Sequence, residues 1–170
     1  MKYLIKFLTI NLFLLIFFNP LKADEKVVFL DLDFLLQNSN IGKKILKKIS
    51  ELDKKNINQL ETKNKILKKL ELDIKNKKNI ISEENYKNEI KKFQKQIQNF
   101  NTEKNQIINE FNDYRKLELE NFFRLINPKI NNYMSQNSIS VVLDSKKIFI
   151  GNANSNITED ILEIINNEIK

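Results

Sequence analysis

Residues 86–114 have the sequence YKNEIKKFQKQIQNFNTEKNQIINEFNDY. Apolar side chains recur in this stretch at steps of four and three residues, and Lys104 fills the one vacant position. The positions are Tyr86, Ile90, Phe93, Ile97, Phe100, Ile107, Phe111 and Tyr114. This spacing is typical of a coiled-coil seam, which requires a second helix to pack against. The stretch therefore predicts a long helix with a helical partner.

The preceding stretch supplies that partner. Its apolar positions are Ile45, Ile49, Leu52, Leu60, Leu67, Leu70 and Ile74, and we expect Asn56 and Asn64 to interrupt the seam. Residues 75–84 break the pattern, and Ser82 there is a typical helix N-cap. The sequence thus predicts an antiparallel helical hairpin, an arm over residues 44–126 with its tip near 75–84. At 1.5 Å per residue, it would be on the order of 50 Å long.

The two ends of the chain differ from this helical middle. The segment KVVFLD at 26–31 predicts a β-strand, ISVVL at 139–143 a second, and KIFI at 147–150 a third that forms a hairpin with the second. We expect Thr158 to cap a final helix whose apolar face is Ile161, Leu162, Ile165 and Ile169. Segments 24–43 and 127–170 would together form a small β-containing body. The predicted fold class is α+β and mostly α, with the arm projecting from this body.

A body of some sixty residues has a marginal core, and a three-stranded sheet leaves two edges open. Oligomerisation through the body is the simplest way to cover both. The strand residues that we expect to form this oligomerisation body are Val27, Val28, Phe29, Val141, Val142, Leu143, Ile148, Phe149 and Ile150.

The N-terminus predicts an export signal. Lys2 and Lys6 precede an apolar run, FLTINLFLLIFF at 7–18, and Pro20 and the small residue Ala23 follow it. This order is typical of a secretory signal peptide over residues 1–23, cleaved between Ala23 and Asp24. The run is shorter than the roughly 20 residues that span a bilayer. An uncleaved membrane anchor is the alternative.

Composition argues against several classes of function. The chain has 170 residues and a formal net charge of +7, and loss of the signal peptide would leave 26 basic and 22 acidic residues. Only two of the basic residues are Arg, the residue that best grips phosphates, so we expect no nucleic acid as a physiological partner. Cys, His and Trp are absent. We therefore predict no catalytic residue, no metal site and no cofactor.

Two small groups resemble catalytic pairs, but both have simpler interpretations. Asp31 and Asp33 are close in sequence, yet they fit a polar strand end. Ser145 and Lys146 lie in a predicted tight turn. We expect neither pair to be catalytic, and we predict that the protein is not an enzyme.

The predicted tip of the arm is basic and carries two isoleucines without an obvious core. One interpretation is a contact with an anionic membrane surface or an acidic client. The other is a solvated helix end in a Lys-rich protein. The residues concerned are Lys75, Lys77, Lys78, Ile80, Ile81 and Lys87.

Taken together, the segments VVFLDLDFLLQNSNIGKKI, ISVVLDSKKIFIG and ITEDILEIIN around a long helical hairpin resemble the Skp/OmpH family of periplasmic chaperones. The resemblance is most specific in the two ends, over residues 39–44 and at Val141, Val142, Leu143 and Asp144. It implies a homotrimer in which the strands of three chains join into one body and three arms enclose a cavity. It also implies a periplasmic protein that holds unfolded outer-membrane proteins and prevents their aggregation without ATP.

The heptad pattern alone fits a second function equally well. An exported coiled-coil scaffold or tether of the cell envelope would use the hairpin as a spacer and the body as an anchor. Affinity for unfolded chains would distinguish the holdase from the tether.

Overall fold

The computed structural model describes residues 26–169, so the predicted signal peptide and its cleavage site at Ala23 and Asp24 lie outside the described residues. The elements, in chain order, are β1 (Lys26–Leu30), α1 (Leu32–Asn38), α2 (Asn40–Lys77), α3 (Glu83–Gln136), β2 (Ile139–Asp144) and α4 (Thr158–Glu168). Two short 3-10 turns, Ser145–Lys147 and Ala153–Ser155, separate β2 from α4. The fold class is the predicted one: mostly helical, with a small sheet and two long helices.

The sheet of the described residues has two parallel strands. Val27 pairs with Val141, Val28 with Val142, and Phe29 with Leu143. Parallel neighbours require a crossover connection between them. Here α1, α2 and α3 make up this connection, so the whole arm is inserted between two adjacent strands. The other edge of β1 is partly covered, because the Ile157 amide donates to the Phe29 carbonyl at 2.9 Å.

The predicted third strand at 147–150 is wrong, and so is its hairpin with β2. The chain turns into a 3-10 helix directly after β2 because the Asp144 carboxylate accepts the Lys146 amide at 3.1 Å. The Ile148 amide then closes the turn onto the Ser145 carbonyl at 3.1 Å. An ion pair between Lys146 and Asp33 holds the turn against α1.

Thr158 begins α4 as its first residue, but it does not cap the helix as predicted. Its hydroxyl accepts the Asp31 amide at 2.9 Å and donates to Asn156 Oδ1 at 2.6 Å. The side chain therefore ties the end of β1 to the start of α4. Glu159 and Asp160 lie in the first turn, where they face the positive end of the helix dipole.

One core joins both ends of the chain with the root of the arm. The strands contribute Val28, Leu30 and Ile139. The fully buried helical side chains include Leu35 of α1, Phe122 and Ile126 of α3, and Ile161 and Ile165 of α4. The long helix α3 thus leaves its partner helix and enters the body near Phe122.

Helix α3 continues past Pro128 to Gln136. Pro128 lies inside the helix on its exposed side. Proline has no amide hydrogen to donate to the carbonyl four residues earlier, but at this exposed position water can bond that carbonyl instead. Asn137 ends the helix by donating its amide to Tyr133 and Met134. Ser138 then takes a positive φ of 52°, and the chain turns into β2.

Candidate functional site

The arm is a two-helix layer without a closed core. Between residues 46 and 121 only Ile74, near the far end, is buried. Most other seam side chains, such as Leu60 and Leu67 on α2 and Phe93 and Phe100 on α3, are half-buried, but the predicted seam residue Ile97 is exposed. Two helices can shield one stripe from each other but leave their flanks open. Apolar surface is therefore accessible along the length of the arm.

A polar layer crosses the seam at mid-arm. The Lys63 ammonium lies 2.5 Å from the Glu103 carboxylate, and the Gln59 side-chain amide donates to the same carboxylate at 3.0 Å. The hydrogen bond from Lys63 lowers the pKa of Glu103. These three side chains link α2 to α3 through polar contacts where an apolar pair would otherwise pack.

This layer corrects the predicted seam at two positions. Lys104 and Asn64 are both exposed, while Glu103 and Lys63 take their places facing the partner helix. Asn56 is half-buried. The spacing could have predicted that Glu103 and Lys63 face the seam, since Glu103 lies three residues after Phe100 and Lys63 three residues after Leu60.

Nearer the body, Glu118 is half-buried on the seam side of α3, four residues after Tyr114, where a heptad seam would place an apolar side chain. Burial raises the pKa of Tyr114, and a hydrogen bond to Glu118 raises it further. The polar pair lies one turn before the buried Phe122, where the arm joins the core.

The tip is the turn at residues 78–82 between α2 and α3. Ser82 caps α3, as predicted, by accepting the Asn85 amide at 3.3 Å. Three of the four tip lysines have carboxylate neighbours: Lys75 lies 2.8 Å from Glu71, Lys77 4.0 Å from Glu89, and Lys87 2.6 Å from Glu83. The hydrogen bond to Glu71 raises the pKa of Lys75.

The two tip isoleucines separate in the structure. Ile80 is 79% exposed. Ile81 is half-buried and lines a shallow groove with Lys77, Asn85 and Glu89. Among residues 26–169, Lys78 is therefore the one tip lysine without an ion pair, and Ile80 is the more exposed of the two isoleucines.

The sheet of the body has one covered face and one open face. Val28 is buried against the helices, and Val142 is half-buried beside it. The other face carries the paired residues Val27 and Val141, at 48% and 41% exposure, and Leu143 beside Phe29. Parallel sheets normally have both faces covered.

Two further features add accessible apolar surface to the body. Phe149 and Ile150 are 98% and 82% exposed, whereas Ile148 is half-buried. In addition, the free edge of β2 borders a groove against the C-terminal part of α3 that includes Val141, Leu143, Ile130 and Met134. The strand residues chosen from the sequence thus divide into a core set and an exposed set.

The described residues contain no cluster of acidic, His or Cys side chains that could hold a metal ion. None of the helices in residues 26–169 is both long and apolar enough to cross a membrane.

The comparisons with known proteins identify the family. The family model described as outer membrane protein (OmpH-like) matches residues 26–165. The chain belongs to the OmpH-like family. The match includes both ends of the body and the entire arm, so the OmpH-like assignment concerns the whole architecture rather than one motif. A comparison with curated proteins finds no significant match.

A solved structure shares the OmpH-like fold. It is a protein of Caulobacter crescentus CB15, described as a candidate outer membrane chaperone (OmpH-like). The TM-score is 0.76 at 16% sequence identity, and the alignment covers 86% of each chain. At this identity the likeness concerns the fold alone.

Proposed function

We propose that this OmpH-like protein is a periplasmic holdase chaperone, a homotrimer that binds unfolded outer-membrane proteins between its arms without ATP. The observation that carries the proposal is the arm. A long helical hairpin with a half-exposed seam offers many weak apolar contacts and no enclosed pocket. Such a surface suits chains of varied sequence better than one folded ligand.

The open face of the body supports the trimer. Val27, Val141 and Leu143 are exposed on one face of the parallel sheet, and Phe149 and Ile150 are almost fully exposed. The body gains stability if other copies cover these side chains. Several arms on one body would then act on the same client. Linked binding sites of this kind raise the overall affinity without any new contact.

Family membership and the predicted signal peptide support the periplasm as the site of action. They also support outer-membrane proteins as clients, in line with the description of the Caulobacter protein. The tip is a weaker contact candidate than the arm, because three of its four lysines already have carboxylate neighbours. We therefore propose client binding along the arms, and membrane contact at the tip only as an accessory role.

The test is suppression of aggregation. An unfolded outer-membrane β-barrel protein is diluted from urea into buffer, with and without a several-fold molar excess of the chain starting at Asp24, and light scattering is followed. The proposal predicts that scattering falls strongly without ATP, and that a folded barrel is not bound. Unchanged scattering would overturn it, and capture of a folded partner alone would favour the envelope tether.

A further inference from the structure

Helix α4 is fixed to the body at its start and along one face. The Thr158 hydroxyl accepts the Asp31 amide at 2.9 Å, directly after β1. Ile161 and Ile165 are fully buried in the core that the helices share with the sheet. Because a hydrogen bond to the end of a strand and a buried apolar face both hold it, α4 has a defined position relative to the sheet.

From this position α4 contacts the first residue of α2. The Asn40 amide donates to Asn166 Oδ1 at 2.8 Å, across 126 residues of sequence. The first amides of a helix have no partner within the helix, so they bond to a side chain or to water. Here Ser39 accepts the Gly42 amide, and Asn166 accepts that of Asn40. A side chain of the body thus holds the start of the arm.

On its other side, α4 holds the C-terminal part of α3. Lys129 Nζ lies 2.7 Å from Glu168 Oε2, and the Tyr133 hydroxyl donates to Asp160 Oδ2 at 2.6 Å. Lys129 and Tyr133 are four residues apart, so they lie on one face of α3. Side chains two residues apart on an α-helix differ by about 200° in direction, so Asn166 and Glu168 lie on nearly opposite sides of α4. The two arm helices are therefore held from opposite sides of one short helix.

The length of the arm amplifies any change at its root. Ile45 is the one α2 side chain that is buried in the core, with Ile41 and Ile49 half-buried beside it. The 38 residues of α2 reach about 57 Å at 1.5 Å per residue, so a rotation of about 5° at the root moves the tip by about 5 Å. With few apolar contacts at the start of α2, the polar contacts from α4 have a large effect on where the tip lies.

From these contacts we propose that α4 is a brace that sets the direction in which the arm leaves the body. Asn166 holds α2, while Asp160 and Glu168 hold α3, and the buried face of α4 keeps all three side chains in place relative to the sheet. The inference goes beyond the holdase function and does not depend on it, because every contact lies within one chain. In the proposed trimer, the brace of each copy would set the spacing of the arms.

The contact with α2 is tested with two neighbouring asparagines. Asn166→Ala deletes the acceptor of the Asn40 amide, and Asn167→Ala, at the next and exposed position, is the matched control. In the chain starting at Asp24, NMR hydrogen exchange follows the Asn40 amide. Residual dipolar couplings of the backbone amides measure the angle between the arm helices and the body, and circular dichroism verifies that helix content is unchanged.

We expect Asn166→Ala to speed exchange of the Asn40 amide by about three- to tenfold, because the amide then exchanges its protein acceptor for water. The arm should also rotate by several degrees relative to the body. Asn167→Ala should leave both the exchange rate and the angle as they are in the wild type.

The contact with α3 is tested by neutralising one carboxylate. Glu168→Gln removes the charge that pairs with Lys129, and Glu163→Gln, at an exposed carboxylate elsewhere on α4, is the control. We expect Glu168→Gln to rotate the arm less than Asn166→Ala does, because a half-exposed ion pair contributes little on its own and the hydrogen bond from Tyr133 still holds α3. Combining Asn166→Ala with Glu168→Gln should rotate it more than either change alone, and Glu163→Gln should leave the angle unchanged.

The outcomes separate the brace from a helix that only stabilises the body. If Asn166→Ala and Asn167→Ala give the same exchange rate, the contact with Asn40 does not form in solution and the inference is overturned. Faster exchange with an unchanged arm angle would also overturn it, since α4 would then stabilise the root of the arm without setting its direction. If the arm rotates as expected in a chain that does not suppress aggregation, the brace stands and the holdase alone is rejected.

Discussion

Ser39 and Gly42 fix the corner at which the arm leaves the body. Ser39 is fully buried and caps α2 by accepting the Gly42 amide at 3.1 Å. The backbone of α1 passes so close that a Cβ on Gly42 would lie 2.0 Å from the Leu36 carbonyl oxygen. A side chain of any size would therefore push the two helices apart.

Gly42→Ala tests this corner, because the expected change in the free energy of unfolding is opposite in sign to the usual one. In an ordinary helix interior, replacing glycine with alanine stabilises by about 1 kcal/mol. Here we expect a loss of about 1–3 kcal/mol in the free energy of unfolding, because the new Cβ would meet the backbone of α1, which cannot move aside as a side chain can. Urea denaturation measures it. Gly151→Ala is the control: its Cβ would meet only the Phe29 ring, at 2.7 Å, and a ring can move.

Tyr133 links α3 to α4 through a hydrogen bond that depends on pH. Its hydroxyl donates to Asp160 Oδ2 at 2.6 Å, and this bond, with burial, raises the pKa of Tyr133 to about 12. Since the folded pKa is above the ordinary value of about 10, the stabilisation is complete below pH 10 and is lost as the pH rises through about 12.

We therefore expect Tyr133→Phe to cost about 0.5–1.5 kcal/mol at pH 8. The difference from wild type should shrink between pH 10 and 12, as measured by urea denaturation across that range. A double-mutant cycle with Asp160→Asn isolates the pair. A constant difference from pH 8 to 12 would show that Tyr133 acts through packing alone.

At the scale of elements, the polar layer of Lys63, Glu103 and Gln59 keeps the arm from packing as a continuous apolar seam. Polar groups in a seam fix the register of the helices and reduce their stability. We therefore expect the layer to hold α2 and α3 in one alignment and to leave the middle of the arm able to open and bend.

Replacing both Lys63 and Glu103 with Leu tests this role. The apolar pair should tighten the hairpin, so amide hydrogen exchange around residues 59–67 and 99–107 should slow severalfold. Capture of large clients should weaken while that of short peptides is unchanged. Glu103→Leu alone is the contrasting variant, because it leaves Lys63 half-buried without a partner and should speed exchange. Faster exchange in the double variant would contradict the account.

The arm was predictable from the sequence because the pattern that predicts it involves only residues close together in the chain. Heptad spacing needs only neighbours three and four residues apart, and Ser82 was recognisable as a cap. The errors at Lys104 and Asn64 arose where polar residues fill the seam, since hydropathy gives no signal there. Only the geometry pairs Lys63 with Glu103, forty residues away.

The body was less predictable because its contacts connect distant parts of the chain. Alternating β-branched residues at 147–150 suggested a strand, but the Asp144 cap and the pairing of Lys146 with Asp33 turn the chain away. Thr158 was expected to cap its own helix and instead bonds Asp31, 127 residues earlier. No local pattern predicts such a partner.

In the whole molecule, the proposed function requires several copies to share one body. A single chain leaves Val27, Val141 and Leu143 on an open sheet face and exposes Phe149 and Ile150 almost completely. It also presents one arm. Covering the face of the sheet with other copies would remove this exposed surface and bring the arms together around a common space.

The most direct test is the mass of the mature chain in solution, measured by sedimentation equilibrium over micromolar concentrations. The account predicts three times the chain mass, with dissociation on dilution. Leu143→Glu, which puts a charge on the open face, should shift the equilibrium towards the monomer, whereas Leu117→Glu on the arm should leave it unchanged. A wild-type chain that sediments as a monomer or a dimer throughout would contradict the account.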